Sequence, residues 1–500
     1  MEQGLLLILL GLISYLVVQR SVTKSTKTPV WVLWLVIMIP AFVWTAWLWR
    51  FGEDTPLPVW LVIVPFIISP LLYWWLIELG RIPLQPKSES TPVTPVVEDK
   101  AVPTRIRPIT QQEEESLRNC FPWGVYYLQD IDYRPQAILC RGKLKTFPEN
   151  AYQTIKQNVE QVFGDRFLLL FQEGMSGQPF FALVPNVWAK QDQETLIPIN
   201  KPFLALGLLL ITLFTTTVVG VEFTGVATEE FRANPELLLQ GLPYSLGLIA
   251  ILAVHELSHY GMALYYRMKV TLPYFIPVPF FLGTFGAFIQ MRSPAPHRKA
   301  LFDTAIAGPI GGLLVTIPLL LWGLAQSQTL PEAEALTRIE ETNTIPLFKN
   351  FNPRFSLLIA IFSKMALGAR LAPGVYLDLH PLAIAGLIGI LVTAFNLIPV
   401  GQLDGGHIVH AMLGQSQGML LGQVARVLMF ILAIVQPPLV QPIFFLWAIM
   451  LIFMPMASQP ALNDVTELDN RRDFFGLLSL VLLLMILLPL PGALAKWLVI

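Results

Sequence analysis

The chain has 500 residues, 54% of them hydrophobic and only 13% charged. A soluble globular chain carries about twice that share of charge, so the composition excludes an ordinary soluble domain and points to a polytopic membrane protein. A net charge of −1 gives no sign of a nucleic-acid partner, and two cysteines, Cys120 and Cys140, exclude a disulfide framework or a thiolate metal cluster.

A spanning helix needs about 20 mostly apolar residues. Taken in chain order, the sequence predicts about ten, at 4–19, 30–49, 59–79, 202–221, 243–265, 303–324, 381–398, 419–436, 438–456 and 474–490. The first carries Glu2 in place of a basic start and ends on bulky Val17 and Val18, so it reads as an uncleaved membrane segment. Three spans thus fill an N-terminal membrane segment, 1–80. Residues 81–117, rich in Pro, Ser, Thr and Glu without periodicity, read as a flexible linker.

Residues 118–200 read as a small soluble α+β domain. "WGVYYLQDI" and "QAILCRG" have strand character. "PENAYQTIKQNVEQVFG" places Tyr152, Ile155, Val159, Val162 and Phe163 on one helical face. "RFLLLFQE" and "PFFALVP" then form two strands joined by "GMSG". The rest, 201–500, is a membrane-embedded domain. Within it, Pro273, Pro277 and Pro279 exclude a regular helix over 270–292, whose apolar and aromatic residues suit extended structure. "FSLLIAIFSKMALGAR" (355–370) is too short and too interrupted by Lys364 to count as a span. Arg20, Lys24 and Lys27 put the end of the first span inside. Alternation then puts the soluble domain, His297–Lys299 and 463–473 inside as well.

One apolar stretch, "LIAILAVHELSHYGMALYYR", holds His255, Glu256 and His259. Positions i and i+4 share a helix face, so the two histidines can bind one tetrahedral Zn²⁺. Glu256 projects from there towards a water in the open metal position. Ionisable groups at membrane depth are costly unless they serve a function. A purely structural polar cluster is the alternative.

A catalytic zinc needs a third protein ligand. His297 sits among Arg298 and Lys299, as on a solvated face. His380 starts the 381–398 span, at the far end from the histidine pair. Asp404 and His407 lie at the near end of that span, in "AFNLIPVGQLDGGHIVH", where Pro399, Gly401, Gly405 and Gly406 break the helix. Asp404 is the stronger ligand candidate, with a helix N-cap as its other reading; His407 is the weaker one. "AGPIGG" (307–312) spaces Gly308 and Gly312 for close helix packing.

"HELSH" followed by "NLIPVGQLDGG" resembles the site-2 protease family of intramembrane zinc metalloproteases. The resemblance implies that His255, His259 and Asp404 hold one Zn²⁺ and that 270–292 forms a membrane-embedded β-hairpin or loop. It implies that Glu256 is the catalytic glutamate and that Asn396 contacts substrate or the oxyanion. Residues from about 120 to 490 are similar to the plastid and cyanobacterial branch, named for ethylene-dependent gravitropism-deficient and yellow-green plants. "CRGKLK" resembles that branch's G-N-L-R element, with Lys143 and Lys145 in place of Asn and Arg. The expected activity is cleavage of transmembrane segments of membrane-protein substrates by a Glu-activated water. Its setting is a lipid bilayer, plastid or cyanobacterial (plasma or thylakoid), with the soluble domain and site opening on the cytoplasmic or stromal side. A regulatory partner on the soluble domain and the oligomeric state stay open. The rival readings are a metal-ion transporter and a proteolytically silent membrane chaperone or scaffold.

Overall fold

The computed structural model describes residues 28–51, 59–80, 109–134, 137–174, 177–186, 201–226, 234–279, 282–331, 348, 351–436 and 441–498, with isolated positions among 11–19. The chain divides into two compact units, Met1–Val102 and Pro103–Ile500.

In the first unit, α1 (Val30–Ile37), α2 (Ile39–Phe51) and α3 (Val59–Leu79) cover two of the expected spans. Ser69 Oγ donates to the Val36 carbonyl at 2.7 Å, satisfying a hydroxyl that would otherwise be buried unpaired. The expected span 4–19 lies outside the described residues apart from those isolated positions.

The second unit begins with a helix inside the stretch read as linker, α4 (Gln111–Asn119). Its cause is local. Thr110 and Glu113 form a reciprocal capping box, and Leu117 is fully buried. Polar composition alone concealed it, and Ile109 and Leu117 join the core that holds the sheet. Residues 81–108 of that expectation lie outside the described residues.

The soluble domain continues with β1 (Tyr126–Arg134), β2 (Ala137–Leu144), α5 (Pro148–Phe163), β3 (Phe167–Glu173) and β4 (Pro179–Pro185). The strands form one antiparallel sheet in the order β1-β2-β4-β3. Helix α5 buries Ala151, Tyr152, Ile155 and Val159 with Cys140, Phe171 and Phe181 in one core. Val162, expected on that face, is 49% exposed; it shares the buried arc but lies in the last turn of the helix, which ends at Phe163.

The membrane part is built from α6 (Pro202–Thr224), α7 (Leu242–Tyr265), α8 (Arg298–Gln326), α9 (Leu357–Leu367), α10 (Pro381–Leu397), α11 (Asp404–Leu413), α12 (Gln415–Val435), α13 (Gln441–Phe453), α14 (Asn470–Leu487) and α15 (Gly492–Leu498). A hairpin of β5 (Tyr274–Pro277) and β6 (Thr284–Phe288) lies between α7 and α8. A second pair, β7 (Gln328–Pro331) and β8 (Val375–Asp378), follows the far end of α8.

Among the described residues, four helices are long and apolar enough to cross a membrane: Pro202–Thr224, Glu236–Tyr265, Arg298–Gln326 and Gln415–Val435. There are up to six if the bent pairs α1–α2 and α14–α15 each count once. The molecule is thus a multi-pass helical membrane protein, with fewer qualifying helices than the ten spans expected. Two expected spans appear as helices of only 17 and 13 residues, α10 and α13. Helix α10 ends where Pro399 removes the donor that would continue it.

Helices α7, α8 and α10 form the centre of the membrane core. A Cβ on Gly389 of α10 would crowd Thr316 of α8 and Ile251 of α7, so small residues let three helices meet closely where no hydrophobic force holds them together.

Candidate metal centre

The histidine pair sits on α7, which runs from Leu242 through Tyr265 without a break. The 3.6-residue turn brings His255 and His259 to one face, with their Nε2 atoms 3.2 Å apart. Asp404 arrives from a distant part of the chain. Helix α10 stops at Leu397, and the backbone turns through Pro399 and Gly401 before restarting as α11. Gly401 takes φ +54, and a Cβ there would collide with the Pro455 carbonyl, so this turn demands glycine.

Asp404 is the first residue of α11. The cap position is Leu403, and no side chain caps the helix. The N-cap reading of Asp404 is therefore not what the structure contains. Its Oδ2 lies 3.5 Å from His255 Nε2 and 3.3 Å from His259 Nε2. Among the described residues, His255, His259 and Asp404 form the one cluster of three or more ligand-type side chains spaced to hold a metal ion.

Three observations test whether these residues fit zinc. Asp404 Oδ2 is buried without a hydrogen-bond partner. His259 Nδ1 lies 2.7 Å from the Thr304 carbonyl. A carbonyl only accepts, so Nδ1 carries a proton, and in the neutral ring Nε2 then offers a lone pair towards Asp404. Two acceptors at 3.3 Å repel each other, and a shared cation removes that repulsion. The triangle itself has edges of 3.2, 3.3 and 3.5 Å. Ligand atoms of a tetrahedral zinc with bonds of about 2.0–2.1 Å lie about 3.3 Å apart. The residues present fit the ion.

Glu256, next to His255 on α7, is buried, and the backbone amide of Ile289, just past β6, lies near its carboxylate. Asn396 approaches from α10, with Nδ2 3.2 Å from His255 Nε2. The hairpin is held on the other side: Tyr244 Oη donates to the Leu282 carbonyl at 2.8 Å, and Thr215 Oγ1 to that of Gly283 at 2.7 Å.

The remaining histidines have other duties. His407 Nδ1 bonds Ser458 Oγ at 2.6 Å and is not in the cluster. His297 and His380 are both helix N-caps, accepting from the N–H of Ala300 and of Leu382 at 3.0 and 3.2 Å. For His297 this replaces the solvated face expected from its basic neighbours. Burial holds its imidazole below the usual histidine range, with Lys299 adding to the effect.

Sequence reasoning missed two supports. Thr304 acts through its backbone, which no side-chain pattern reports. Gly308 and Gly312 do more than pack helices: a Cβ on Gly308 would fall inside the imidazole of His259, and one on Gly312 would come 3.1 Å from His255 Nδ1. The "AGPIGG" spacing carried that signal without its target.

Along α8, Thr304 is six residues from Arg298, the first residue, and Gly312 fourteen. At 1.5 Å per residue, the site lies about 10–20 Å from the Arg298 end of a helix about 43 Å long. The soluble domain joins the membrane part at that same end, through Phe171 and the segment beside Ala295 and Pro296.

Residues 243–435 match the family model described as peptidase family M50. The chain is 30% identical over 387 residues to the probable chloroplastic zinc metalloprotease EGY1 of Arabidopsis thaliana, covering 72% of this chain and 67% of that protein. It is 29% identical over 388 residues to the protein of the same name in Oryza sativa subsp. japonica, covering 72% and 64%. It is 28% identical over 408 residues to the probable chloroplastic zinc metalloprotease EGY2 of Oryza sativa subsp. indica, covering 79% and 71%. The chain thus spans about two thirds of the length of these relatives. No solved structure matches it.

Proposed function

The chain belongs to peptidase family M50, the site-2 protease family of zinc metalloproteases, in the branch of these chloroplastic relatives, and from that premise we propose that it cuts transmembrane segments of membrane proteins within the bilayer. The observation that carries this reading is the buried triangle of His255 Nε2, His259 Nε2 and Asp404 Oδ2, set among helices apolar enough to span a membrane.

His255, His259 and Asp404 would hold the zinc, which when bound supplies Lewis-acid polarisation and a more acidic water. Glu256 takes the proton of the attacking water and passes it to the leaving amine. The Asn396 side chain, beside His255, donates to the substrate carbonyl oxygen as charge develops there.

Strand β6 is the platform for the substrate. Among the described residues it pairs with β5 alone, and Phe285 is 70% exposed. An unwound substrate segment adds to its open edge as a further strand, which brings a scissile bond past Glu256. The entrance faces the soluble-domain side, the cytoplasmic or stromal side of a plastid or cyanobacterial membrane. An ion transporter would string polar sites across the bilayer, whereas these groups share one depth.

The test uses purified full-length protein reconstituted with a single-span substrate. Wild type cleaves and holds one zinc. Glu256→Gln holds zinc but loses cleavage by at least about 10²-fold, within the usual range for a removed acid–base group. Full cleavage by Glu256→Gln sinks the assignment of the base. Absence of cleavage in zinc-loaded wild type across a panel of single-span substrates favours the scaffold reading.

A further inference from the structure

Between α13 and α14, residues Leu462–Asp464 run extended between two partners. On one side, Phe171 of β3 donates its N–H to the Leu462 carbonyl at 2.7 Å, and its carbonyl accepts from the Asp464 N–H at 2.8 Å. On the other, the N–H groups of Leu462 and Asn463 donate to the carbonyls of Ala295 and Pro296 at 2.8 and 3.1 Å. Strand β3 is an edge of the soluble sheet, so this short segment covers backbone groups that would otherwise need another partner. Leu462 and Val465 pack their side chains against the core of the soluble domain.

The Asp464 side chain goes the other way, into the membrane part. His410 Nε2 donates to its two oxygens at 3.0 and 2.9 Å, and Arg298 Nε lies 3.4 Å from Oδ1. All three residues are 5% exposed or less. His410 Nδ1 has no hydrogen-bond partner, so among the described residues Asp464 is the polar anchor of that ring. His410 stands on α11, the helix whose first residue is Asp404. Six residues separate them, about 9 Å along the axis. Helix α11 is short and bounded by a broken backbone before it and Gly414 after it, at φ +82. Its placement therefore depends on side-chain contacts along its length.

We propose that Leu462–Asp464 is a strap coupling the soluble domain to the metal centre, with Asp464 as a positioning residue. Through His410 it holds α11, and so the Asp404 carboxylate, against the two histidines. Docking of β3 on the strap favours metal binding, and loosening it weakens the grip on the ion. The inference rests on the reading of Asp404 as a metal ligand.

Two readouts on full-length protein test it. One is zinc affinity, by competition with a chromophoric chelator. The other is hydrogen exchange of the Gly405–His410 amides in metal-free protein, which needs no bound ion and no activity. Asp464→Asn should weaken zinc binding about 10-fold or more, the usual effect of losing an outer support of a ligand, and speed exchange in α11. Asp464→Glu should restore part of both. The pair Leu462→Ala and Val465→Ala, which loosens the strap from the soluble side with Asp464 intact, should shift both readouts in the same direction. Wild-type zinc affinity and wild-type α11 exchange in Asp464→Asn overturn the coupling. If that variant does not fold, the same two wild-type results in the Leu462/Val465 pair overturn it. Wild-type affinity in Asp404→Ala instead overturns the ligand reading, so the two failures fall in different variants.

Discussion

Gly308 shows how narrowly the metal centre is set. Its missing Cβ is the space that His259 occupies, and His259 Nε2 is one corner of the ligand triangle. Gly308→Ala must displace either α8 or the imidazole. The expected result is loss of bound zinc by elemental analysis, with helix content by circular dichroism close to wild type. Gly261, a glycine on α7 whose Cβ would meet nothing within 4 Å, is the control: Gly261→Ala should keep its zinc. Asp404 makes the complementary case. Asp404→Asn keeps the shape of the side chain but not its charge. It should lower zinc affinity by at least about 10-fold, whereas a carboxylate serving only as a helix cap would leave affinity unchanged.

At the scale of elements, the β5–β6 hairpin and the soluble sheet call for different measurements. Gly283 closes the hairpin at φ +79, and a Cβ there would press on the Thr216 backbone at 2.5 Å. Gly283→Ala is therefore expected to pull the hairpin off α6. Prolines placed between Thr284 and Gln290 remove donors from β6. Both changes should reduce cleavage far more than zinc content; an equal fall in both would mean that the hairpin only supports the metal helices. In the soluble domain, Cys120 after α4 and Cys140 on β2 are free and buried, and burial pushes the Cys140 thiol up to about 12. A thiol reacts as its thiolate, so alkylation at pH 8 should label neither cysteine in the native protein and both once the domain unfolds. Fast labelling of native Cys140 would contradict the packing of α5 on the sheet. Thr110→Ala removes one half of the α4 capping box and should cost about 1 kcal/mol, read as a lower midpoint for soluble-domain unfolding.

For the second unit as a whole, an ion held by His255, His259 and Asp404 would link segments that lie far apart in sequence. His255 and Asp404 are on α7 and α11, and no peptide connection holds those helices together at the site. A ligand that binds only the folded state stabilises it by about 2.7 kcal/mol at 100 times its dissociation constant. Chelation should therefore lower the thermal midpoint of wild type, while Asp404→Asn should show little further change. The strap adds a second tie, from the soluble sheet through Asp464 to α11. A midpoint insensitive to chelation in the wild type would mean that helix packing alone carries the fold.

The sequence by itself determined whatever is local. The i, i+4 spacing of "HELSH" needs only a helix to put two imidazoles side by side. The three prolines of 270–292 exclude a helix wherever they are placed, and the four strands of the soluble domain carry their own alternation and turns. The α4 capping box was equally local and was hidden only by a polar composition. Tertiary structure decided the rest. Asp404 could cap α11 or face the histidines, and only the packing of α11 against α8 selects between them. Gly308 could serve any close helix contact until His259 is seen above it. Arg298, His410 and Asp464 meet across 166 residues of chain. A pair that distant leaves no periodicity, because the free energy of its contact depends on where the fold brings the two ends and not on the residues between them.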